Sequence, residues 1–344
     1  MNDVVSSRIG SFSDVHIGLY QDSPMWHDIS LNFAEKVSSF YKEQGIKDII
    51  IPGDIFHNRS EISVKTIHTA KSFFDYFKDF NIIISAGNHD SFFKEKAEIN
   101  SICMFDGWNN ITIVDKTPHF IETSNGTTIS LIPWGIGSKD IPKTDVCFGH
   151  FEINTFYMNT YRACEKGEDS KNLLNKSPFI ISGHFHKKDH RKYDKGQILY
   201  LGSPYQQNFG DCDDKRGYYI IDLDLKTFDF YSNEFSPRFV KIKSQDLQKS
   251  TINNTLKNNF ISLTLEPSLK TEEVNKILNK IQSCLPNNVK IEYQETIKDD
   301  GDKEKTYDSI DILKNIYEYV ETLDIECKNE VVNYLTEVYN NLNK

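Results

Sequence analysis

Five short blocks of the chain carry Asp, Asn and His side chains of the kind that bind divalent metal ions. In sequence order they are Asp14-Val15-His16, Gly53-Asp54, Gly87-Asn88-His89-Asp90, Gly149-His150 and Gly183-His184-Phe185-His186. Neutral imidazole together with carboxylate or amide oxygens suits manganese, iron or zinc. Two such ions about 3.5–4 Å apart can stabilise the attacking and the leaving oxygen of a phosphoryl displacement. The blocks therefore predict a two-metal site for phosphate ester chemistry.

Short apolar runs precede the blocks. Residues 48–52 lead into Asp54, residues 82–86 into Asn88 and residues 146–148 into His150. Such runs, which lack polar alternation, are typical of strands that are buried on both faces. In layered α/β folds, ligands gather just past the carboxyl ends of such strands. We therefore expect the five blocks to meet at one edge of the fold.

Each block taken by itself has a simpler interpretation. A single Asp at a strand end is more often a helix cap or a turn former than a metal ligand. The Asn-His-Asp triplet after Gly87 could form only a polar turn, and His184 and His186 could be two surface residues of one strand. The five blocks nevertheless occur in a fixed order, and each follows an apolar run. Their joint occurrence favours the metal site.

The order of the blocks resembles the calcineurin-type metallophosphoesterase superfamily. More narrowly, it resembles the SbcD-type nucleases of DNA double-strand-break repair, especially the recombination endonuclease subunits of T-even-like bacteriophages. The stretches LIPW (131–134), GHFE (149–152) and YLGSP (200–204) support this resemblance. Many phosphatases of the superfamily have a carboxylate three residues after the bridging Asp, where this chain has His57. Some recombination nucleases share this histidine, so the departure favours a nuclease over a protein phosphatase.

The resemblance implies roles for individual residues. One ion would take Asp14, His16 and His186, the other Asn88, His150 and His184, and Asp54 would bridge them. Mn²⁺ is the expected ion, with Mg²⁺ as the alternative. His89 would stabilise the charge that develops on the phosphate or protonate the leaving oxygen, and His57 and Asp90 would fix its ring. The implied activities are an exonuclease on duplex ends and an endonuclease on single strands.

Helical and strand patterns alternate along the chain and predict an α/β (α+β) fold. We expect a β-sandwich flanked by helices at 29–44 and 64–80, which forms a metallophosphoesterase nuclease domain over residues 1–237. A small α/β unit at 238–295 resembles the capping domain that positions DNA in this nuclease family. Residues 296–308 are charged and poor in apolar side chains, which predicts a linker.

Residues 309–344 have the pattern of a helical hairpin. Its apolar faces include Ile312, Leu313, Ile316, Tyr317, Val320, Val331, Leu335 and Val338. The simplest interpretation is that the hairpin packs back on the main body, because it is too short to be stable alone. The family resemblance favours docking on the coiled-coil base of an SMC-like ATPase. It also suggests a homodimer through helices near residues 64–80 and 92–106.

The net charge of −10 in 344 residues argues against strong DNA binding by this chain alone. Lys187, Lys188 and Arg191, together with Lys192, follow the last metal block and could contact phosphates, although a solvated loop explains them equally well. Tyr205 lies in a loop that is predicted near the metal rim and could touch the substrate. A turn-rich connection is the alternative there.

The remaining features bound the class of protein. No apolar run approaches the roughly 20 residues that span a bilayer, and the start of the chain lacks a signal-type pattern. The six scattered cysteines suit reduced thiols in a cytoplasm, which would be the bacterial host's if the protein is phage-encoded. Two rival functions remain, a metallophosphatase acting on nucleotides or phosphoproteins and a non-catalytic scaffold of the same fold.

Overall fold

The computed structural model describes residues 4–158, 162–248 and 255–293, and near the C-terminus residues 328, 331–334 and 336. The chain divides into two compact units, residues 1–294 and residues 295–344. The described residues of the second unit are helical and include Val331. The other residues predicted to contact an ATPase lie outside the described residues; they are Ile312, Leu313, Ile316, Tyr317, Val320, Leu335 and Val338.

Two sheets form the core of the first unit. Sheet A runs, in spatial order, through β1 (Val4–Val5), β8 (His119–Thr123), β9 (Thr128–Ile132), β10 (Val146–Gly149), β11 (Phe179–Ser182), β13 (Gly196–Tyr200) and β12 (Asp189–Tyr193). Sheet B runs through β15 (Thr227–Ser232), β14 (Gly217–Asp222), β2 (Arg8–Ser11), β3 (Asp48–Ile51), β4 (Asn81–Ser85) and β7 (Ile111–Val114). Strands β2, β3, β4 and β7 are mutually parallel, as are β9, β10, β11 and β13.

The apolar runs are buried on both faces of their strands. Ile50 of β3 and Phe148 of β10 belong to the core that fills the space between the two sheets. Their neighbours Ile49 and Ile51 belong instead to the cluster formed with the helices of sheet B, and Cys147 belongs to a third cluster on the side of sheet A. The predicted mixed α/β sandwich is therefore confirmed.

The helices are α1 (Leu19–Asp22), α2 (Pro24–Glu43), α3 (Val64–Asp75) and α4 (Ser170–Leu174). α1 is a single turn in which Tyr20, Gln21 and Asp22 have left-handed backbone angles. The apolar faces of α2 and α3 supply Phe33, Val37 and Phe73 to the cluster on sheet B. Helix α3 starts where the sequence predicted, with Ser63 accepting a hydrogen bond from the Thr66 amide, but it ends at Asp75. None of the described helices combines the length and the apolar character that crossing a membrane requires.

The segment after the third metal block is a hairpin of β5 (Ser91–Phe93) and β6 (Lys96–Asn100). The prediction of a helix near residues 92–106 was therefore wrong for the hairpin residues, and only Ile102–Phe105 forms a short 3-10 helix; the homodimer stays a prediction. The tip of the hairpin is held by contacts distant in sequence, because the Trp134 indole donates to the Lys94 carbonyl over 2.9 Å. A Cβ on Gly135 would lie 2.3 Å from the Glu95 carbonyl oxygen, so only glycine allows this approach.

A small parallel sheet completes the first unit. It consists of β16 (Phe239–Lys243), β17 (Phe260–Leu265) and β18 (Asn288–Tyr293), in that spatial order. Helix α5 (Thr271–Ser283) connects β17 to β18. A separate apolar cluster that includes Ile281 lies between this small sheet and α5. The indole of Trp26 in α2 stacks on Phe260 at 5.5 Å, which joins the unit to the sandwich.

Candidate metal centre

The five metal-type blocks come from both sheets and meet at one rim of the sandwich. Sheet B supplies three of them, which follow the carboxyl ends of β2, β3 and β4. Sheet A supplies the other two, which follow β10 and β11. The rim therefore lies where parallel strands of both sheets end, as the sequence predicted.

The first group of side chains contains Asp14, His16 and His186. One potential ligand atom from each of them lies within 4.8 Å of the others. The Nε2 atoms of His16 and His186 are 3.0 Å apart. Two imidazole nitrogens that face each other at this distance can share one proton or one cation. With a carboxylate beside them, they form a donor set that a divalent transition metal ion fits.

The second group contains Asn88, His150 and His184. The Asn88 Oδ1 atom is 2.9 Å from His150 Nε2 and 2.8 Å from His184 Nδ1. The carboxylate of Asp54 stands beside both groups, with its Oδ2 atom 3.6 Å from His16 Nε2 and 3.3 Å from His150 Nε2. Asp54 thus occupies the position that a bridging ligand needs.

The electrostatics of the rim also fit a cation. Burial, with a contribution from Asp54, raises the pKa of Asp14 to about 7. Burial lowers the pKa of His184 to about 3 and that of His186 to about 4, which keeps both rings neutral. Burial alone would lower the pKa of His150, but the carboxylates of Asp54 and Asp14 raise it to about 9. A metal ion would supply the positive charge that the His150 proton supplies otherwise.

His150 is oriented for ligation by the backbone. Its Nδ1 atom lies 2.7 Å from the Pro52 carbonyl oxygen. A carbonyl can only accept, so Nδ1 carries a proton and donates, and in the neutral ring Nε2 keeps the lone pair. This arrangement directs Nε2 toward Asn88 and Asp54. It is the kind of carbonyl–histidine contact that fixes the tautomer of a metal ligand.

Four of the seven candidate ligands have a left-handed backbone. The φ angles are 58° at Asp14, 52° at His16, 56° at Asp54 and 90° at His184. Each such residue costs roughly 1–3 kcal/mol and persists only where its surroundings hold it. The amides of Asp14 and His16 donate to the carbonyls of Gly53 and Asp54 over 3.2 and 3.1 Å, which supplies part of that support. Strain of this kind is typical of functional sites.

Two glycines allow the loops to pack closely. Gly53 has a φ of 97°, and a Cβ there would lie 2.5 Å from the His150 Nδ1 atom. A Cβ on Gly87 would lie 2.2 Å from Asp54 Oδ1. Any larger residue at either position would displace a candidate ligand.

His89 lies beside the first group and is held from two sides. Its amide donates to Asp54 Oδ1 over 2.7 Å, and its Nδ1 atom donates to the His57 carbonyl over 2.7 Å. The His57 ring lies nearly parallel to the His89 ring, with centroids 5.7 Å apart. The sequence predicted that His57 fixes the ring of His89. The hydrogen bond that does so comes from the backbone carbonyl of His57 and not from its side chain.

Asp90 does not contact the His89 ring, which corrects the predicted role of this carboxylate. Its two oxygens accept four backbone hydrogen bonds of 2.8–3.0 Å, from the amides of Asp54, Ile55, Phe56 and Gly87. Burial, and then the charge of Asp54, raise the pKa of Asp90 to about 6. Asp90 is therefore a brace that fastens the Asp54 loop to the Asn88 loop.

Tyr205 is buried and is not available to DNA, so that prediction was wrong. Its hydroxyl donates to the Val15 carbonyl over 2.6 Å. The side-chain amide of Gln207 donates to the Asp14 carbonyl over 2.9 Å. These two side chains hold the strained loop between Asp14 and His16 from behind. The sequence placed them near the rim but not in this supporting role.

The predicted basic contacts lie directly after His186. Lys187 is near the Tyr157 ring and Lys188 is over the Phe230 ring, at 5.6 and 4.5 Å from the ring centroids. The guanidinium of Arg191 lies 2.7 Å from an Asp189 carboxylate oxygen. That ion pair neutralises Arg191, so Lys187, Lys188 and the exposed Lys192 are the freer cations of this segment. DNA contact by the segment stays a prediction.

Comparison with known proteins identifies the family. The calcineurin-like phosphoesterase family matches residues 7–210. The chain belongs to this family.

Exonuclease subunit 1 of Enterobacteria phage T4 is 27% identical over 237 residues, which cover 66% of this chain and 68% of that protein. Among solved structures, a dimetal phosphatase from Danio rerio is 11% identical with a TM-score of 0.38, over 62% of this chain and 91% of that one. The nuclease MPE from Pseudomonas putida is 15% identical with a TM-score of 0.33, over 61% of this chain and 82% of that one. The resemblance found in the sequence, to this superfamily and to a T-even phage nuclease subunit, is confirmed.

Proposed function

We propose that this phosphoesterase is the nuclease subunit of a DNA recombination and double-strand-break repair complex. It would act as an exonuclease on duplex ends and as an endonuclease on single strands. The observation that carries the proposal is the convergence of seven metal-type side chains at one rim. The similarity to Exonuclease subunit 1 over 237 residues supports DNA as the substrate.

Two ions would be held by the two groups of side chains, with Asp54 between them. Mn²⁺ suits this mixture of imidazole and carboxylate donors, and Mg²⁺ is the alternative. Ions of this kind act as Lewis acids toward phosphate and lower the pKa of water. The protein's own contribution is to fix the donors before the substrate arrives. Asp90, Tyr205 and Gln207 do so through the backbone of the metal loops.

His89 would act on the phosphodiester directly. Because its Nδ1 proton is donated to the His57 carbonyl, its Nε2 atom is left to exchange a proton with a phosphate or leaving oxygen. The amide of His89 also holds Asp54, so the position of the imidazole and that of the bridging carboxylate are coupled. A positioned acid or base of this type contributes about 10²- to 10⁴-fold to the rate.

The other regions would deliver DNA to the rim. We assign nuclease chemistry to residues 1–237, DNA positioning to the capping unit at 238–295 and a linker to 296–308. The helical hairpin at 309–344 would dock on an SMC-like coiled-coil ATPase in the cytoplasm. A net charge of −10 supports the need for such a partner to hold DNA. Val64 and Ile67 are exposed on α3 and would serve a homodimer.

The first test is cleavage of labelled duplex and single-stranded DNA by the purified chain in Mn²⁺, Mg²⁺ or a chelator. We expect Mn²⁺-dependent cleavage that Asp54→Asn abolishes. Asp79→Asn is the matched control, because Asp79 is exposed and pairs only with Lys42 at the surface. Hydrolysis of a phosphomonoester without DNA cleavage would replace the nuclease by a phosphatase. Loss of both activities with and without the ATPase, in protein that binds metal, would indicate a scaffold.

The partner assignment has its own test. Deletion of residues 305–344 should abolish association with the ATPase and leave metal-dependent hydrolysis of bis(p-nitrophenyl) phosphate intact. Association that survives the deletion would remove the hairpin from the interface.

A further inference from the structure

A cavity separate from the metal-type side chains lies where α1 and α2 meet the capping unit. Its volume is about 450 Å³. The aromatic side chains that line it are Tyr20, Trp26, Phe209, Phe239 and Phe260. We call this cavity the aromatic pocket. Nothing in the metal chemistry described above uses it.

The aromatic walls of the pocket form a stack with one free face. Trp26 packs against Phe260 with an interplanar angle of 9°, and against Tyr20 with ring centroids 5.0 Å apart and an angle of 19°. Tyr20 is 50% exposed, whereas Trp26 is 5% exposed. The stack therefore ends in an open tyrosine ring, on which another flat ring can be placed.

The backbone that presents Tyr20 is strained. The φ angles of Tyr20, Gln21 and Asp22 are 53°, 56° and 60°, so three successive residues other than glycine are left-handed. For residues with a side chain, this conformation is less stable than the right-handed form. The Asp22 carboxylate accepts a hydrogen bond from the Thr66 hydroxyl, which helps to hold this conformation. Strain maintained at an exposed aromatic residue is typical of a ligand clamp.

Two hydrogen bonds connect the pocket to the metal rim. The Tyr20 hydroxyl donates to the Gln207 carbonyl over 2.7 Å, and the Gln207 side chain donates to the Asp14 carbonyl over 2.9 Å. Tyr20 is also only four residues from His16 along the chain. The pocket therefore adjoins the first group of metal-type side chains.

The polar groups of the pocket select among ligands. Of the residues that line it, only Lys290 carries a charge, and its ammonium lies 2.7 Å from Glu292 at the surface. Asn287 and Asn288 also line the pocket, and the side-chain amide of Asn287 donates to the Asn258 carbonyl over 2.8 Å. Flat aromatic faces beside polar side chains and one cation suit a nucleobase, which stacks and also offers hydrogen-bonding edges.

We propose that the aromatic pocket is a nucleobase subsite. A base of the DNA strand would stack on the free face of Tyr20 while a phosphodiester of the same strand lies at the metal rim. The inference rests on the proposed nuclease function and deepens it, because it names a contact that distinguishes a nucleotide from a simple phosphodiester. Stacking on any base gives affinity without selecting a sequence, as a nuclease of broad specificity requires.

Binding is tested separately from cleavage. Single-stranded oligonucleotides with 2-aminopurine at successive positions are mixed with the full chain in chelator, where no metal-dependent hydrolysis occurs. Stacking on Tyr20 should quench the fluorescence at one position. Tyr20→Leu should weaken binding of that oligonucleotide about tenfold, since one base stack has this magnitude. Tyr20→Phe keeps the ring and should keep the quenching. Tyr76→Leu is the matched control, because Tyr76 is similarly exposed but lies outside the pocket.

Cleavage gives the second measurement. In Mn²⁺, Tyr20→Leu should lower kcat/KM for the oligonucleotide about tenfold relative to that for bis(p-nitrophenyl) phosphate, which carries no base. Equal quenching and an equal ratio in wild type and Tyr20→Leu would overturn the subsite. Absence of any DNA cleavage by the wild type, with and without the ATPase, would overturn the nuclease proposal instead, and the quenching in chelator would still decide the subsite. Circular dichroism checks that the variants are folded.

Discussion

The two ends of the sandwich each carry a polar cluster around a carboxylate, but the clusters are built differently. At the end opposite the metal rim, Asp224 accepts hydrogen bonds from Ser7, Thr123 and Asn125. Uncharged donors satisfy it, and partial burial is outweighed so that its pKa lies well below the usual range. At the rim, Asp14 is buried and its pKa is raised to about 7.

The difference separates a structural carboxylate from one that serves a ligand. Asp224 needs nothing beyond its neighbours, because hydroxyl and amide donors replace the water that it loses. The carboxylates of the rim lie among imidazoles, of which burial keeps those of His184 and His186 neutral, and their backbone is strained. A bound cation would compensate the buried carboxylates and coordinate the neutral imidazole nitrogens. Substitutions at the two ends should therefore differ in kind as well as in size.

The largest effect is expected from Gly87→Ala. Its methyl group would stand 2.2 Å from Asp54 Oδ1 and would displace the bridging carboxylate. We expect Mn²⁺ affinity to fall by at least about 100-fold, the upper range for disturbed support of metal ligands. Isothermal titration with Mn²⁺ measures it. Gly126→Ala is the control for backbone strain without displacement of a ligand, because its φ is 85° but a Cβ there meets no atom within 4 Å. Unchanged affinity in Gly87→Ala would mean that Asp54 does not bind the metal.

The variants His89→Ala and His57→Ala should differ in kcat. His89→Ala should lower kcat by about 10²- to 10⁴-fold with metal still bound, because the proposed acid or base is lost. His57→Ala retains the backbone carbonyl that holds the His89 Nδ1 atom, so a fall of about tenfold or less is expected. Steady-state hydrolysis of a phosphodiester by the Mn²⁺-loaded variants provides the comparison. Equal losses in the two variants would contradict an orienting role that belongs to the His57 backbone.

Asp90→Asn tests the brace between the metal loops. An amide offers one accepting oxygen where the carboxylate offers two, so about half of the four backbone amides lose their acceptor. At about 1–3 kcal/mol for each unsatisfied group, the free energy of unfolding should fall by about 2–6 kcal/mol. Urea denaturation in chelator measures this without the metal. The exposed Asp79→Asn should leave the free energy of unfolding nearly unchanged, because solvent screens its ion pair with Lys42.

The smallest effect is expected at Asp224, and it depends on pH. The folded-state pKa of this carboxylate is below its unfolded value of roughly 3.9. Its stabilisation is therefore complete above that value and is lost as the pH falls through the folded pKa. Asp224→Asn should destabilise the protein by about 1 kcal/mol or less near pH 7, with a smaller difference near pH 3. Urea denaturation at the two values provides the check. Altered Mn²⁺ affinity in this variant would contradict the distinction between the two ends.

The strands and the metal blocks were predictable because their signals are local. Residues 49–51 and 82–84 are continuous apolar runs, and strands with such runs are buried on both faces. The glycine and the polar residue that follow mark where each strand ends. The family resemblance then supplied the pairing of the blocks. Together these features brought His150 and Asp54 to one rim in the prediction, as in the structure.

The errors occurred where distant residues decide the conformation. From the sequence alone, Tyr205 is a loop residue that could contact DNA. It is buried because it packs near α2 and donates to the Val15 carbonyl, which is 190 residues away. The stretch 92–106 contains enough apolar residues for a helix. The contacts of its tip with Trp134 and Gly135 make it a hairpin instead. The aromatic pocket combines residues from 20 to 290, so no local pattern indicated it.

The division of the rim between the sheets has a consequence for folding. Three blocks belong to sheet B and two to sheet A, so bound ions would cross-link the sandwich at one end. Folding would then be linked to metal concentration, and ions at 100 times their dissociation constant would add about 2.7 kcal/mol of stability. In metal-poor solution, local unfolding would begin at the rim, where the strained loops of the two sheets meet. The cell's supply of metal would thus set how long the enzyme survives as well as how fast it works.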